Sequence, residues 1–399
     1  FFLMAAAVWA KTLGATVKVR GEELEIEGNG GAALSLDRVC AGESGLLARL
    51  LIPVLSLKND RSATVEGRGT LPQRPLTDAN DIMAAFGVTL SSVRPSGKEV
   101  HVPLEINGSL IPGRAEISGK GGSQLISGLL MALPMAAKPS TLYVQDPKSI
   151  PYMFITMDVL RKFGIDIINE MEGGDDFLET EDWSYCTGMT FRIKGGQKYH
   201  ASDFAIEKDW SAAANLMVAG AVFGSVSIDG LDTSSLQADL SIMDILVEAG
   251  VSVSQDDDGG TTGTVNVRKA PLNAFSTDLS NAPDLFPIVS VLAAFCPGLS
   301  RIKGVGRLAG KESNRAEGIL EMLLQMGVKS QIEGDEMVIE GHSLERRLAC
   351  GTMINGGAYT SHHDHRMVMA LEVAGLGSSD KITIDDTSCV SKSFPDFTL

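Results

Sequence analysis

Ala85-Phe86-Gly87-Val88-Thr89-Leu90 ends an amphipathic segment on a glycine and runs straight into a β-prone stretch. The same phrase occurs as Thr12-Leu13-Gly14-Ala15-Thr16-Val17, Lys162-Phe163-Gly164-Ile165-Asp166-Ile167, Glu248-Ala249-Gly250-Val251-Ser252-Val253 and Gln325-Met326-Gly327-Val328-Lys329. Each glycine follows a segment such as Asp81–Phe86 or Glu317–Met326, where a helix C-cap needs a left-handed residue. The five glycines lie 73, 77, 86 and 77 residues apart, so one supersecondary unit repeats, with a period too long for the common solenoids.

A second kind of helix alternates with the first. Ser44–Leu55, Ser123–Ala136, Ala212–Phe223, Leu285–Phe295 and Arg366–Leu376 are apolar nearly all round and must be surrounded by protein. Short strands, among them Thr190–Ile193, Ser225–Ile228, Thr264–Val267 and Lys381–Ile384, lie between the helices. The fold class is therefore α/β (α+β), with sheets covering a helical interior. At 399 residues two domains are expected. The longest interval between glycines places the boundary near Gly224–Gly230, giving a first lobe of residues 1–225 with three copies and a second of 226–399 with two. A further copy in the second lobe falls due just past Leu399, and the first copy opens inside a helix, so material is expected to be missing at both ends.

A net charge of −16 argues against nonspecific binding to nucleic acid or anionic lipid. The five scattered cysteines read as reduced thiols of a cytoplasmic protein, and no apolar run is long enough to span a bilayer. The chain is expected to work as a monomer on small molecules.

Against this acidic background, basic residues stand at helix starts, where they oppose the helix dipole. Lys311-Glu312-Ser313-Asn314-Arg315 opens one helix; it is either an Asn or Ser cap with solvated charges or an anion clamp. Asp364-His365-Arg366 opens an apolar helix, and an arginine there needs a partner. Gly121-Gly122-Ser123-Gln124 and Gly42-Glu43-Ser44-Gly45, with Arg49 a turn on, open two more, with glycines that allow close approach to the backbone. Asp284 reads as an N-cap or as a general base. Ser391-Lys392-Ser393 reads as a solvated loop or a site lysine. His362-His363-Asp364-His365 are too close in sequence to chelate one ion well, and no metal site is expected.

In this order the motifs resemble the EPSP synthase family of enolpyruvyl transferases over essentially the whole chain. The pair Lys311-Glu312-Ser313-Asn314-Arg315 and Asp364-His365-Arg366-Met367 is the specific signal. Gln73-Arg74-Pro75-Leu76, Ser149-Ile150-Pro151-Tyr152, Asn281-Ala282-Pro283-Asp284 and Lys392-Ser393-Phe394-Pro395-Asp396 support it. The resemblance implies a two-domain inverse α/β barrel of βαβαββ units closing over two anionic substrates. It implies transfer of the enolpyruvyl group of phosphoenolpyruvate to the 5-hydroxyl of shikimate 3-phosphate, with release of phosphate and no cofactor. Carried over, Asp284 and Lys311 sit at the attacking hydroxyl, and Glu312 with Lys392 handles the proton at C3. Arg315, Arg366, Lys392, Gly45 and Arg68 serve phosphoenolpyruvate. Ser123, Gln124, Ser149 and Tyr152 hold shikimate 3-phosphate. Glu43 replaces a family Asn, Gly122 a family Ser, and Thr70 a family Arg for which Arg68 stands in. The family's amino-terminal Gly-Ser-Lys-Ser segment and its last helix have no counterpart in the sequence. The sister enzymes acting on UDP-N-acetylglucosamine carry a loop cysteine, disfavoured by the absence of Cys between Cys40 and Cys186. A non-catalytic anion-binding protein is the remaining alternative.

Overall fold

A computed structural model describes residues 7, 10–11, 13–20, 23–28, 38–58, 62–95, 97–180, 182–257, 262–309, 314–395 and 397. The chain forms two compact units, Phe1–Phe204 and Ala205–Leu399.

The first unit opens with an antiparallel pair, β1 (Thr16–Arg20) and β2 (Glu23–Glu27). It continues with β3 (Arg38–Cys40), α1 (Gly45–Leu55), β4 (Ala63–Glu66), α2 (Ala79–Ala84), β5 (Thr89–Ser92) and β6 (Leu104–Asn107), whose strands pair in the order β3-β4-β6-β5. Then follow β7 (Arg114–Ser118), α3 (Gln124–Ala132), β8 (Ser140–Gln145), α4 (Ile150–Lys162), β9 (Ile167–Gly173), α5 (Asp175–Thr180) and β10 (Cys186–Ile193), ordered β7-β8-β10-β9.

The second unit begins with α6 (Trp210–Phe223), β11 (Ser225–Leu231), α7 (Ile242–Glu248), β12 (Ser252–Asp257) and β13 (Gly263–Arg268), a three-stranded sheet ordered β11-β13-β12. Next come β14 (Ser276–Asp278), α8 (Phe286–Phe295), β15 (Gly298–Lys303), α9 (Arg315–Gln325), β16 (Lys329–Glu333) and β17 (Glu336–Gly341), ordered β14-β15-β17-β16. The last elements are α10 (Leu344–Cys350), β18 (Gly357–Tyr359), α11 (His365–Gly375) and β19 (Ile382–Ile384), with a 3-10 turn over Ser388–Lys392.

The three four-stranded sheets share one topology. The first two strands are parallel, as in Ala115↔Leu142 and Thr277↔Ile302, and the remaining ladders are antiparallel. This is the repeated βαβαββ unit. The repeat glycines have the expected geometry: φ is 90° at Gly14, 75° at Gly87, 81° at Gly164, 87° at Gly250 and 77° at Gly327. An L side chain avoids that region, so the glycine ends each helix and turns the chain into its strand.

The apolar helices occupy the interior, and strands such as β6, β8 and β13 bury every second side chain against them. All ten residues of α8 are buried, and α6, α8 and α11 pack on one another at the centre of the second unit. Helices inside and sheets outside are the inverse arrangement expected of this fold class. The division between units differs from the sequence-based one. It falls ahead of α6, because Trp210, Ala214, Met217, Val218 and Ala221 belong to the second core. The long glycine interval marks a change of unit, but α6 stands on the far side of it.

The parallel pairs position the candidate residues. A helix that follows a parallel strand begins at that strand's carboxyl end, so β14 and β15 deliver the starts of α8 and α9 to one edge, and β7 and β8 those of α3 and α4.

Candidate active site

In the second unit, four helix starts bring charge together. Arg315, the first residue of α9, is 1% exposed. Its Nε donates to Oδ2 of Asp364 at 2.9 Å and its Nη2 to Oδ1 at 3.3 Å. Its Nη1 donates to Oδ1 of Asp284 at 2.8 Å and to the Pro283 carbonyl at 3.3 Å. Asp364 is itself the N-cap of α11 and accepts from the Arg366 backbone N–H at 2.9 Å. One buried carboxylate thereby caps one helix and neutralises the arginine that opens another.

Arg366 lies a residue into α11 and is 9% exposed. Its Nη2 stands 3.9 Å from Oδ2 of Asp284. Its Nε and Nη1 are buried with no hydrogen-bond partner among the described residues. Burial works against its charge, but Asp284, Asp209 and Asp239 outweigh that and hold the guanidinium above its ordinary pKa. A charged, buried arginine with donors left over is suited to an anion.

Asp284 does not cap α8; it sits in the 3-10 turn Pro283–Leu285, where its carboxylate faces both arginines and keeps a third of its side-chain surface exposed. Asp209 caps α6 through the N–H groups of Ser211 and Ala212. Asp239 is buried and accepts a hydrogen bond from the Ser211 hydroxyl.

The first unit carries a second set. Ser123 precedes α3 and Ser149 precedes α4; both are buried, and neither hydroxyl caps its helix. Gly122 (φ 100°), Asp146 (φ 49°) and Ser149 (φ 56°) are left-handed, which folds both turns tightly at the carboxyl ends of β7 and β8. The turns touch: a Cβ on Gly119 would fall 2.6 Å from Cα of Pro147 and 3.0 Å from the Asp146 carbonyl oxygen. Lys120 reaches Asp146 at 3.5 Å across the same junction. The hydroxyl of Thr156 bridges the carbonyl of Tyr152 and the hydroxyl of Ser127, both at 2.8 Å, which ties α4 to α3. Gln124 and Tyr152, both half-buried, are thus carried on the first turns of two adjacent helices.

At the start of α1, Ser44 caps the helix through the Leu47 N–H. A Cβ on Gly45 would meet Nη1 of Arg49 at 3.0 Å and Cζ of Arg74 at 3.3 Å. Arg49 donates to the carbonyls of Gly45 and Pro75. Arg68 is exposed, and its backbone N–H bonds the Gly42 carbonyl at 2.7 Å. The Glu43 carboxylate lies over Gly69, since a Cβ there would fall 2.5 Å from its Cδ.

The structure therefore unites Asp284, Arg315 and Arg366 in one cluster, and sets Ser123 with Gln124 beside Ser149 with Tyr152 in another. Lys311 and Glu312 lie outside the described residues, as does the Lys392 side chain. The sequence reading did not single out Asp364, Asp209, Asp239 or Arg74 as site residues. Asp209 and Asp364 cap helices and Asp239 lies in a turn, places where an acid is ordinary, so none carries a local sign of a second task. Arg74 was visible only as part of the Arg-Pro motif. His362 and His363 turn away from one another's partners, to Glu321 at 3.2 Å and Asp386 at 2.8 Å.

The model of the family EPSP synthase (3-phosphoshikimate 1-carboxyvinyltransferase) matches residues 4–399. The chain belongs to the EPSP synthase family. A 3-phosphoshikimate 1-carboxyvinyltransferase of Clostridium acetobutylicum is 34% identical over 356 residues, spanning 89% of this chain and 74% of that one. The enzyme of the same name from Brachyspira hyodysenteriae is 33% identical over 352 residues, spanning 88% and 75%. Among solved structures, an EPSP synthase from Acinetobacter baumannii superposes with a TM-score of 0.73 at 23% identity, covering 98% of this chain and 85% of that one. The enolpyruvyl transferase NikO from Streptomyces tendae superposes with a TM-score of 0.65 at 16% identity, covering 98% and 84%. At these identities the two structural likenesses speak for the fold, the inverse α/β barrel of EPSP synthases.

Proposed function

We propose that this member of the EPSP synthase family transfers the enolpyruvyl group of phosphoenolpyruvate to the 5-hydroxyl of shikimate 3-phosphate and releases phosphate. The observation that carries the reading is Arg366, a buried guanidinium at a helix start with two donors unpartnered among the described residues and Asp284 at its side.

Arg366 and Arg315 bind the carboxylate and phosphate of phosphoenolpyruvate. Arg315 does so by giving up part of its contact with Asp284, which turns that carboxylate toward the incoming hydroxyl. Asp284, placed against two cations, serves as hydrogen-bond acceptor for the 5-hydroxyl as it attacks C2. Protonation of C3 falls to Glu312 with Lys392, and Lys311 assists at the hydroxyl. Ser123, Gln124, Ser149 and Tyr152 hold shikimate 3-phosphate from the starts of α3 and α4. Gly45 gives an anion access to the backbone at the start of α1, with Arg68 on the same side. Both sets are required for turnover. Fixed cations aimed at charge that moves from C2 to the departing phosphate stabilise the transition state without reorganisation.

The test is phosphate release from phosphoenolpyruvate with either acceptor. Turnover with shikimate 3-phosphate and none with UDP-N-acetylglucosamine is expected. Turnover with the sugar nucleotide alone contradicts the assignment, and tight anion binding with no phosphate released from phosphoenolpyruvate in the presence of either acceptor marks a non-catalytic binding protein.

A further inference from the structure

The chain leaves β18 and β19 side by side. The two strands are parallel, with Tyr359 opposite Ile384, so their carboxyl ends release two segments at one edge. Residues 360–364 lead to the start of α11 and so to Arg366, and residues 385–387 lead into the 3-10 turn Ser388–Lys392. Asp385 joins the two. Its Oδ2 accepts from the Thr360 hydroxyl at 2.7 Å. Its Oδ1 accepts from the Ser361 N–H at 2.8 Å, the Ser361 hydroxyl at 2.9 Å and the Asp386 N–H at 2.7 Å. The bonded groups pass the restraint on. The Thr360 hydroxyl accepts from the His362 N–H and that of Ser361 from the His363 N–H, both at 3.2 Å. The Ser361 carbonyl accepts from the Asp364 N–H at 2.9 Å, which reaches the carboxylate that grips Arg315 and caps the helix of Arg366. On the other side, Oδ2 of Asp386 lies 2.8 Å from Nδ1 of His363, and its Oδ1 accepts at 2.9 Å from the N–H of Ser388, where the 3-10 turn begins.

The turn ahead of α11 needs this support. His362 and His363 are both left-handed, with φ of 52° and 56°, a conformation that L residues adopt in succession only where the surroundings hold them. One hold comes from α9: Nε2 of His362 stands 3.2 Å from Glu321, and a Cβ on Gly318 would fall 3.1 Å from Cδ2 of the same ring. The other is Asp385. Keeping β18 against β19 is already the task of its backbone, whose N–H donates to the Tyr359 carbonyl at 3.1 Å. The side chain reaches past the strands to the turn.

We propose that Asp385 is a positioning residue for the phosphoenolpyruvate site: its carboxylate ties the turn that delivers Asp364 and Arg366 to the turn that delivers Lys392, so that both meet the substrate in one fixed arrangement. This rests on the reading of Arg366 and Lys392 as residues that serve phosphoenolpyruvate. Burial pushes the Asp385 carboxyl up, but the Ser361 N–H, the Thr360 and Ser361 hydroxyls and the Asp386 N–H outweigh it and hold the group at about 2. The brace is therefore charged above that pH and is lost only as pH falls through it.

Steady-state phosphate release, with each substrate varied at saturation of the other, tests this. Asp385 is exposed, so its replacement opens no cavity in the core. Asp385→Ala is expected to raise KM for phosphoenolpyruvate about tenfold and to leave KM for shikimate 3-phosphate within about twofold of wild type. Asp385→Asn, whose amide oxygen can still accept from the Ser361 and Asp386 N–H groups, is expected to recover most of that loss. Thr360→Val moves the same KM in the same direction by less. An unchanged KM for phosphoenolpyruvate in folded Asp385→Ala, with only the melting temperature lowered, makes Asp385 a structural residue and overturns the proposal. An equal rise in both KM values marks general damage and overturns it too. Should Asp385→Ala fail to fold, an unchanged KM in Thr360→Val overturns it equally. Arg366→Ala separates the two readings: impaired use of phosphoenolpyruvate there with a normal Asp385→Ala sinks this inference alone, whereas normal kinetics in Arg366→Ala sinks the anion-binding reading beneath it.

Discussion

Arg315 and Arg366 open different helices and carry different loads. Arg315 is saturated by Asp364, Asp284 and the Pro283 carbonyl, whereas Arg366 keeps two buried donors unpartnered among the described residues. Asp364 binds the two together, since it also accepts from the Arg366 backbone. Asp364→Ala therefore removes a helix cap and takes from a buried guanidinium the carboxylate held by its Nε and Nη2. The expected loss is about 3–5 kcal/mol, read from urea unfolding. A loss of less than about 1 kcal/mol at Asp364 means that Arg315 finds another partner. At this scale the sequence revealed the arginines and hid their acids. A basic residue at a helix start violates the dipole rule and draws notice. An acid there obeys it, so the second task of Asp364, under Arg315, left no local mark.

The helix and the turn behind it are the units that aim these side chains. In the first unit, the turns after β7 and β8 are pressed backbone to backbone at Gly119 and Pro147. Gly119→Ala puts a methyl group where neither neighbour can yield. It is expected to cost about 1–3 kcal/mol and to raise KM for shikimate 3-phosphate by displacing Ser123 and Ser149. Gly113→Ala, where nothing lies within 4 Å of the added carbon, is expected to be neutral. Equal kinetics in the two variants would detach these turns from substrate binding. Elements were the most legible level. Gly87 or Gly327 announces its cap because the left-handed conformation is a local requirement, and an all-apolar run such as Phe286–Phe295 has no stable place but the interior. The three-stranded sheet at the start of the second unit needed the structure, because pairing order is a non-local property.

At the scale of the whole molecule, two cores are joined by a stretch between β10 and α6. Its early part is held to the first unit: Tyr199 donates to the Met131 carbonyl and His200 to that of Phe163. Beyond Phe204 it is open, with Ile206 83% exposed. Limited proteolysis is expected to cut first within 205–208 and to leave two fragments identifiable by mass spectrometry. First cleavage inside either core would speak against this division. The boundary itself was misread from sequence because α6 is apolar on every side, and such a helix does not reveal which core it fills. The most direct measurement is kcat/KM for phosphoenolpyruvate in Arg366→Ala at saturating shikimate 3-phosphate, with the fold checked by circular dichroism. Loss of about 10²–10³-fold in a folded variant is the expected result; a rate within about threefold of wild type would contradict the claim that helix-start arginines grip the enolpyruvyl donor.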